Sequence, residues 1–76
     1  MHQYLMFTLE GPLILKSGAK YGHNQKANID GEQYVTHHYH YAGKGPYGVL
    51  ISTNNPVSHD QIQASIERTG LVQLPW

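Results

Sequence analysis

Histidine is the side chain in this sequence best able to do chemistry near neutral pH, and six are present among 76 residues. Three of them crowd into one stretch, Gln33-Tyr34-Val35-Thr36-His37-His38-Tyr39-His40-Tyr41, whose ring-bearing and β-branched residues read as a strand. Side chains alternate along a strand, so His38 and His40 share one face and His37 takes the other. The preceding Asp30-Gly31 is a strong signal for a two-residue hairpin turn, and that turn would set His23 directly opposite His38. His23, His38 and His40 would then form one patch. Three neutral imidazoles with an open fourth position suit a divalent metal such as zinc, held by nitrogens at about 2 Å. The competing reading is a polar, solvated sheet face in which these are surface histidines beside Gln25 and Thr36. No carboxylate can be assigned to orient the three rings. On that reading His37 is a partly buried, hydrogen-bonded histidine on the same side as Val35, Tyr39 and Tyr41.

Other constellations carry less. Ser58-His59-Asp60 contains the residue types of a nucleophilic triad, but neighbours on one helical turn diverge and cannot relay a proton. Gly43-Lys44-Gly45 lacks the spacing of a phosphate loop and joins two strands where a helix should follow. The tyrosines Tyr21, Tyr39, Tyr41 and Tyr47 are interleaved with Lys20, Lys26 and Lys44, a combination able to stack on unpaired bases in a single-stranded nucleic acid. Charge argues against that reading. Lys plus Arg equals Asp plus Glu at five each, so strong capture of a nucleic-acid backbone is not indicated. The absence of Cys excludes disulfides, thiolate catalysis and Cys-type zinc sites. No apolar run approaches membrane-spanning length, and the opening residues lack the pattern of a secretion signal. The expectation is a soluble, cytoplasmic protein that does not engage membranes.

The elements that position these residues follow from patterning. Tyr4 to Leu9 alternate, with Leu5, Phe7 and Leu9 on one face. After Gly11-Pro12, Leu13-Ile14-Leu15 is either a second strand or the first continued past a bulge. Strands are expected at about 22–29 and 32–42, with a glycine-rich turn at 42–46 and a further strand at 47–53. These three form a meander with the histidine strand in the centre. A helix is expected at about 59–69. Ser58 is its N-cap, with Gln61 completing a capping box and Val57 and Ile62 a hydrophobic staple, while Gly70 is the left-handed stop. Its apolar stripe is narrow, Ile62 and Ile66 with Ala64 at the margin, so it covers one face of a sheet. Leu71 to Leu74 offer a last short strand. The fold class is therefore α+β: a single domain with an antiparallel sheet of four to five strands, packed on one face by one helix.

A domain of this size removes only about 60% of its unfolded surface on folding, so a second copy or a partner protein can supply missing burial. The nine residues Leu5-Met6-Phe7-Thr8-Leu9-Glu10-Gly11-Pro12-Leu13 resemble the first strand and turn of the backbone proteins of CRISPR complexes. The chain beyond them does not continue that pattern, and no property is carried over. With no convincing catalytic constellation, the expected function is non-enzymatic protein binding, through Tyr21, Lys20, Lys26, Lys44, Tyr47 and Trp76, or through self-association as a homodimer. Its size and lack of motifs fit an accessory protein of a phage or mobile element that inhibits a host defence complex, such as an anti-CRISPR, by steric binding. A histidine-metal protein and a single-strand nucleic-acid binder are the alternatives.

Overall fold

The computed structural model describes residues 1–75. Five strands precede one helix: β1 (His2–Thr8), β2 (Gly11–Ser17), β3 (Lys26–Ile29), β4 (Glu32–Tyr41), β5 (Lys44–Ser52) and α1 (His59–Thr69). They form one sheet in the order β2-β1-β5-β4-β3, and the protein is an α+β domain as its pattern implies. The consecutive strands β3, β4 and β5 do form an antiparallel meander with the histidine strand between its neighbours. In the whole sheet, however, the centre is β5, because β1 docks beside it in parallel and pairs Leu5 with Val49 and Phe7 with Ile51. A parallel partner far along the chain leaves no local signature, and the meander alone could not reveal it.

Leu13-Ile14-Leu15 belong to a strand of their own. β1 and β2 form a hairpin across Leu9 and Glu10, with Thr8 opposite Gly11. The Thr8 hydroxyl clips this turn by accepting from the Glu10 backbone N–H at 3.1 Å and donating to the Gly11 carbonyl at 2.8 Å. Leu9 consequently leaves the core face and stands 82% exposed. The second hairpin turns on Ala42 and Gly43 alone, so Lys44, Gly45 and Pro46 lie in β5 and not in a loop. The segment after the helix is not a strand, although the Leu74 N–H donates to the Pro46 carbonyl at 2.8 Å and both Leu71 and Leu74 are buried.

The helix has the boundaries that its capping residues mark. Ser58 accepts from the Gln61 N–H, the Gln61 side chain accepts from the Ser58 N–H, and Gly70 closes the helix with φ 67°. Its buried residues are Ile62, Ser65 and Ile66, with Ala64 turned outward. Val57 packs on the cluster that contains Ile62, as a staple should.

Apolar side chains cover both faces of the sheet. On the helix side Leu5, Phe7, Tyr47 and Val49 pack with Ile62, Ile66 and Leu71. On the other side Tyr4, Met6, Ala27, Tyr34, Leu50 and Leu74 form a second cluster. The expected polar, solvated face is thus a second core, and Thr36 within it is fully buried. Leu13 of β2 and Ile29 of β3 line one cleft on this side although they belong to opposite edge strands. In a flat sheet those edges would stand about 19 Å apart at about 4.8 Å per neighbouring pair. The sheet therefore curls toward this face, which becomes its concave side. Gly48 permits the closest packing there, since a Cβ at that position would come within 2.5 Å of the Tyr4 ring.

Candidate functional site

The Asp30-Gly31 turn pairs its strands in the anticipated register, Ile29 with Glu32 and Ala27 with Tyr34. The register does not persist as far as His23. Asn24, with φ 66°, donates to the Thr36 carbonyl at 2.8 Å, while Thr36 N–H donates to Gln25 O at 2.9 Å. Two residues thus oppose one, a β-bulge, and the extra residue displaces His23 from its place opposite His38. The His23 ring lies between two others, its centroid 6.0 Å from that of His37 and 5.9 Å from that of His38.

Its nitrogen is committed to structure: His23 Nδ1 accepts the His38 backbone N–H at 3.1 Å. His38 Nε2 in turn lies 3.0 Å from the Tyr21 carbonyl, which can only accept, so that nitrogen carries the proton. His40 sits at an irregularity in the β4–β5 ladder between Tyr39 and Tyr41, and is exposed. The three-imidazole patch is corrected accordingly. Among the described residues no group of three or more His, Cys, Asp or Glu is placed to hold a metal ion. The histidines instead latch the 18–25 loop onto β4. His37 is partly buried on the helix side as anticipated, but its ring has no hydrogen bond among the described residues, and its pKa is lowered, first by desolvation and then by the neighbouring His23.

The expected partner-binding residues divide. Lys20, Lys26 and Lys44 are exposed. Tyr47 is in the helix-side core and cannot anchor a partner. Tyr21 packs edge-on against Tyr4 at 5.3 Å, and its N–H donates to the Tyr4 hydroxyl at 3.0 Å, so it closes one end of the concave core. Trp76 lies outside the described residues. The stacking platform is occupied as well. The Tyr39 hydroxyl accepts from Gln63 Nε2 at 3.2 Å and lies 3.1 Å from His59 Nδ1, while the Tyr41 hydroxyl donates to Glu67.

At the other end of the concave face the curl leaves an opening. A cleft of about 300 Å³ has Met6, Leu13, Ile29 and Tyr34 as its apolar floor and walls, with Leu9 at the mouth. Glu10, Asp30 and Glu32 line it too, and no Lys, Arg or His does. Two hairpin turns meet here. One presents Leu9 and Glu10, the other Asp30, which adopts φ 51° beside Gly31. Tyr34 is 4% exposed, and its hydroxyl has no hydrogen-bond partner among the described residues. Its pKa is raised, first by burial and then by the charges of Glu32 and Asp30, so the phenol keeps its proton. Glu32 is steadied by Asn54, whose Nδ2 donates to it at 3.1 Å.

A second opening, of about 360 Å³, runs between the helix and the β1–β2 turn. It is the larger of the two, but the side chain of Gln61 on its wall is already used in the helix cap. The concave cleft has no trace in the alternation that sets Leu9 on the core face or in the turn signal at Asp30. The available signal was Leu9-Glu10 ahead of Gly11, an apolar residue and an acid at the tip of a possible hairpin.

No family model matches the chain, and neither a curated protein nor a solved structure matches it. Among the described residues no helix is long and apolar enough to cross a membrane.

Proposed function

We propose that this chain is a small non-enzymatic protein-binding domain that docks a partner on the concave face, at the cleft between the Leu9-Glu10 and Asp30-Gly31 turns. One observation carries the reading. Leu9 is 82% exposed and Leu13 41% exposed, side by side with an apolar floor, and the Thr8 clip holds the tip that presents Leu9. Large apolar side chains at the mouth of a concavity are a common mark of a protein interface, where a partner's burial of them is favourable. The finer form of this reading is an accessory protein of a phage or mobile element that inhibits a host defence complex by occupying its surface. Small size and a docking cleft away from the histidines support it.

The test is a pull-down from the native host with the tagged full chain and with a Leu9→Asp/Leu13→Asp variant. Both sites are exposed or half-exposed, so the variant should keep its circular dichroism spectrum. One identified protein is expected in near-stoichiometric amount with the parent chain and not with the variant. Equal recovery by the variant overturns the cleft, and repeated recovery of the chain alone as a monomer overturns protein binding.

A further inference from the structure

The chemistry of the cleft narrows its occupant, given the docking reading above. Three carboxylates surround an opening that holds no basic side chain of its own. Like charges gathered at one mouth repel each other and attract a cation, most strongly where apolar walls exclude water. The floor is hydrocarbon from Met6, Leu13 and Ile29. A bare metal ion or a small amine would leave that surface unused, whereas the methylene stem of Lys or Arg would cover it and leave the charged head at the rim. The Tyr34 hydroxyl is the independent observation. It is the polar end of a side chain more than nine-tenths buried, it lines this cleft, and no described residue bonds to it. A neutral phenol oxygen in that position accepts from an ammonium or guanidinium, and the neighbouring carboxylates add charge-assisted bonds.

We infer that the cleft receives an arginine or lysine side chain carried on an apolar, extended segment of a partner protein, with its stem against Met6, Leu13 and Ile29 and its head among Glu10, Asp30, Glu32 and the Tyr34 hydroxyl. Leu9 and Leu13 then meet the apolar residues on either side of the basic one. Both strands that flank the opening, β2 and β3, are sheet edges, which suits an extended ligand.

The experiment is a nitrogen-15 NMR titration of the full chain with a blocked Ala-Leu-Arg-Leu-Ala peptide, its lysine counterpart and its citrulline counterpart, the last being nearly the shape of arginine without the charge. Shifts are expected at Leu9, Glu10, Leu13, Asp30 and Glu32 with the first two peptides, and citrulline should bind at least about fivefold more weakly. Glu10→Gln and Asp30→Asn should each weaken the arginine peptide roughly 1.5- to 5-fold, and raised salt should weaken it further. Tyr34→Phe should weaken arginine and leave citrulline unchanged; loss of signal dispersion in that variant would pass the question to the two surface variants. Citrulline binding as tightly as arginine overturns the basic side chain and leaves the cleft standing. Shifts confined to residues outside the cleft overturn the inference as well, while the docking reading stands or falls separately on the Leu9→Asp/Leu13→Asp pull-down.

Discussion

The two faces of the sheet are both apolar, but they are closed in different ways. A single helix covers one face, where the Tyr39 hydroxyl meets Gln63 and His59 and that of Tyr41 meets Glu67, and of the tyrosines there only the buried Tyr47 has a hydroxyl with no hydrogen-bond partner among the described residues. The other face is closed in pieces by Tyr21 of the 18–25 loop, by Leu74, and by the curl of the sheet itself. That patchwork leaves two hydroxyls without hydrogen-bond partners among the described residues, Thr36 Oγ1 deep inside and Tyr34 at the opening. A regular element brings a whole row of side chains to a surface at once, whereas loops and curvature cover only where they happen to reach. The candidate site lies on the less completely covered side.

The sharpest way to break this comparison is to ask whether the patched face is a true core. Leu5→Ala on the helix side and Leu50→Ala on the concave side should each cost about 2–5 kcal/mol in urea unfolding, since both residues are fully buried. A loss under about 1 kcal/mol for Leu50→Ala alone would make the concave face a mere covering. Thr36→Val is the next test. Its hydroxyl is buried without a partner, and an apolar group of the same shape should raise stability by about 1 kcal/mol. A destabilised variant would mean that Thr36 is satisfied in solution and that the concave face holds no deeply buried unpaired hydroxyl.

The smallest effect concerns His37, which lies beneath the helix side of β4. Its pKa is below the ordinary 6.5 because burial, and secondly His23, disfavour the charged ring. Between the two values the unfolded chain binds a proton that the folded chain does not. The stability gained by keeping His37 neutral is therefore present above pH 6.5 and lost as pH falls through the folded value. His37→Gln should lose less stability than the parent between about pH 7 and about pH 5.5, measured by urea midpoints. Identical slopes would remove His37 from the acid response.

How much could be read in advance varies with the range of the interaction. The helix was legible to its ends, because Ser58, Gln61 and Gly70 act within a few residues of one another. The Asp30-Gly31 turn was equally legible, and so was the register it imposes as far as Lys26 opposite Val35. His23 was beyond reach, since the extra residue of the bulge at Asn24 and Gln25 reverses every alternation argument past it. Leu9 was misplaced because alternation continues through a turn on paper, whereas Thr8 closes that turn in the chain.

By itself the sequence determined the helix with its caps, the Asp30-Gly31 hairpin, the α+β class and the place of the histidine strand between β3 and β5, all through backbone preferences and contacts a few residues apart. Tertiary structure alone decided that β1 joins β5 in parallel, that Thr36 and Tyr34 are buried, and that two acidic turns meet around one apolar cleft. Those outcomes depend on which strands lie side by side and how far the sheet curls. Both are set by packing summed over the whole chain, which no short stretch of residues encodes.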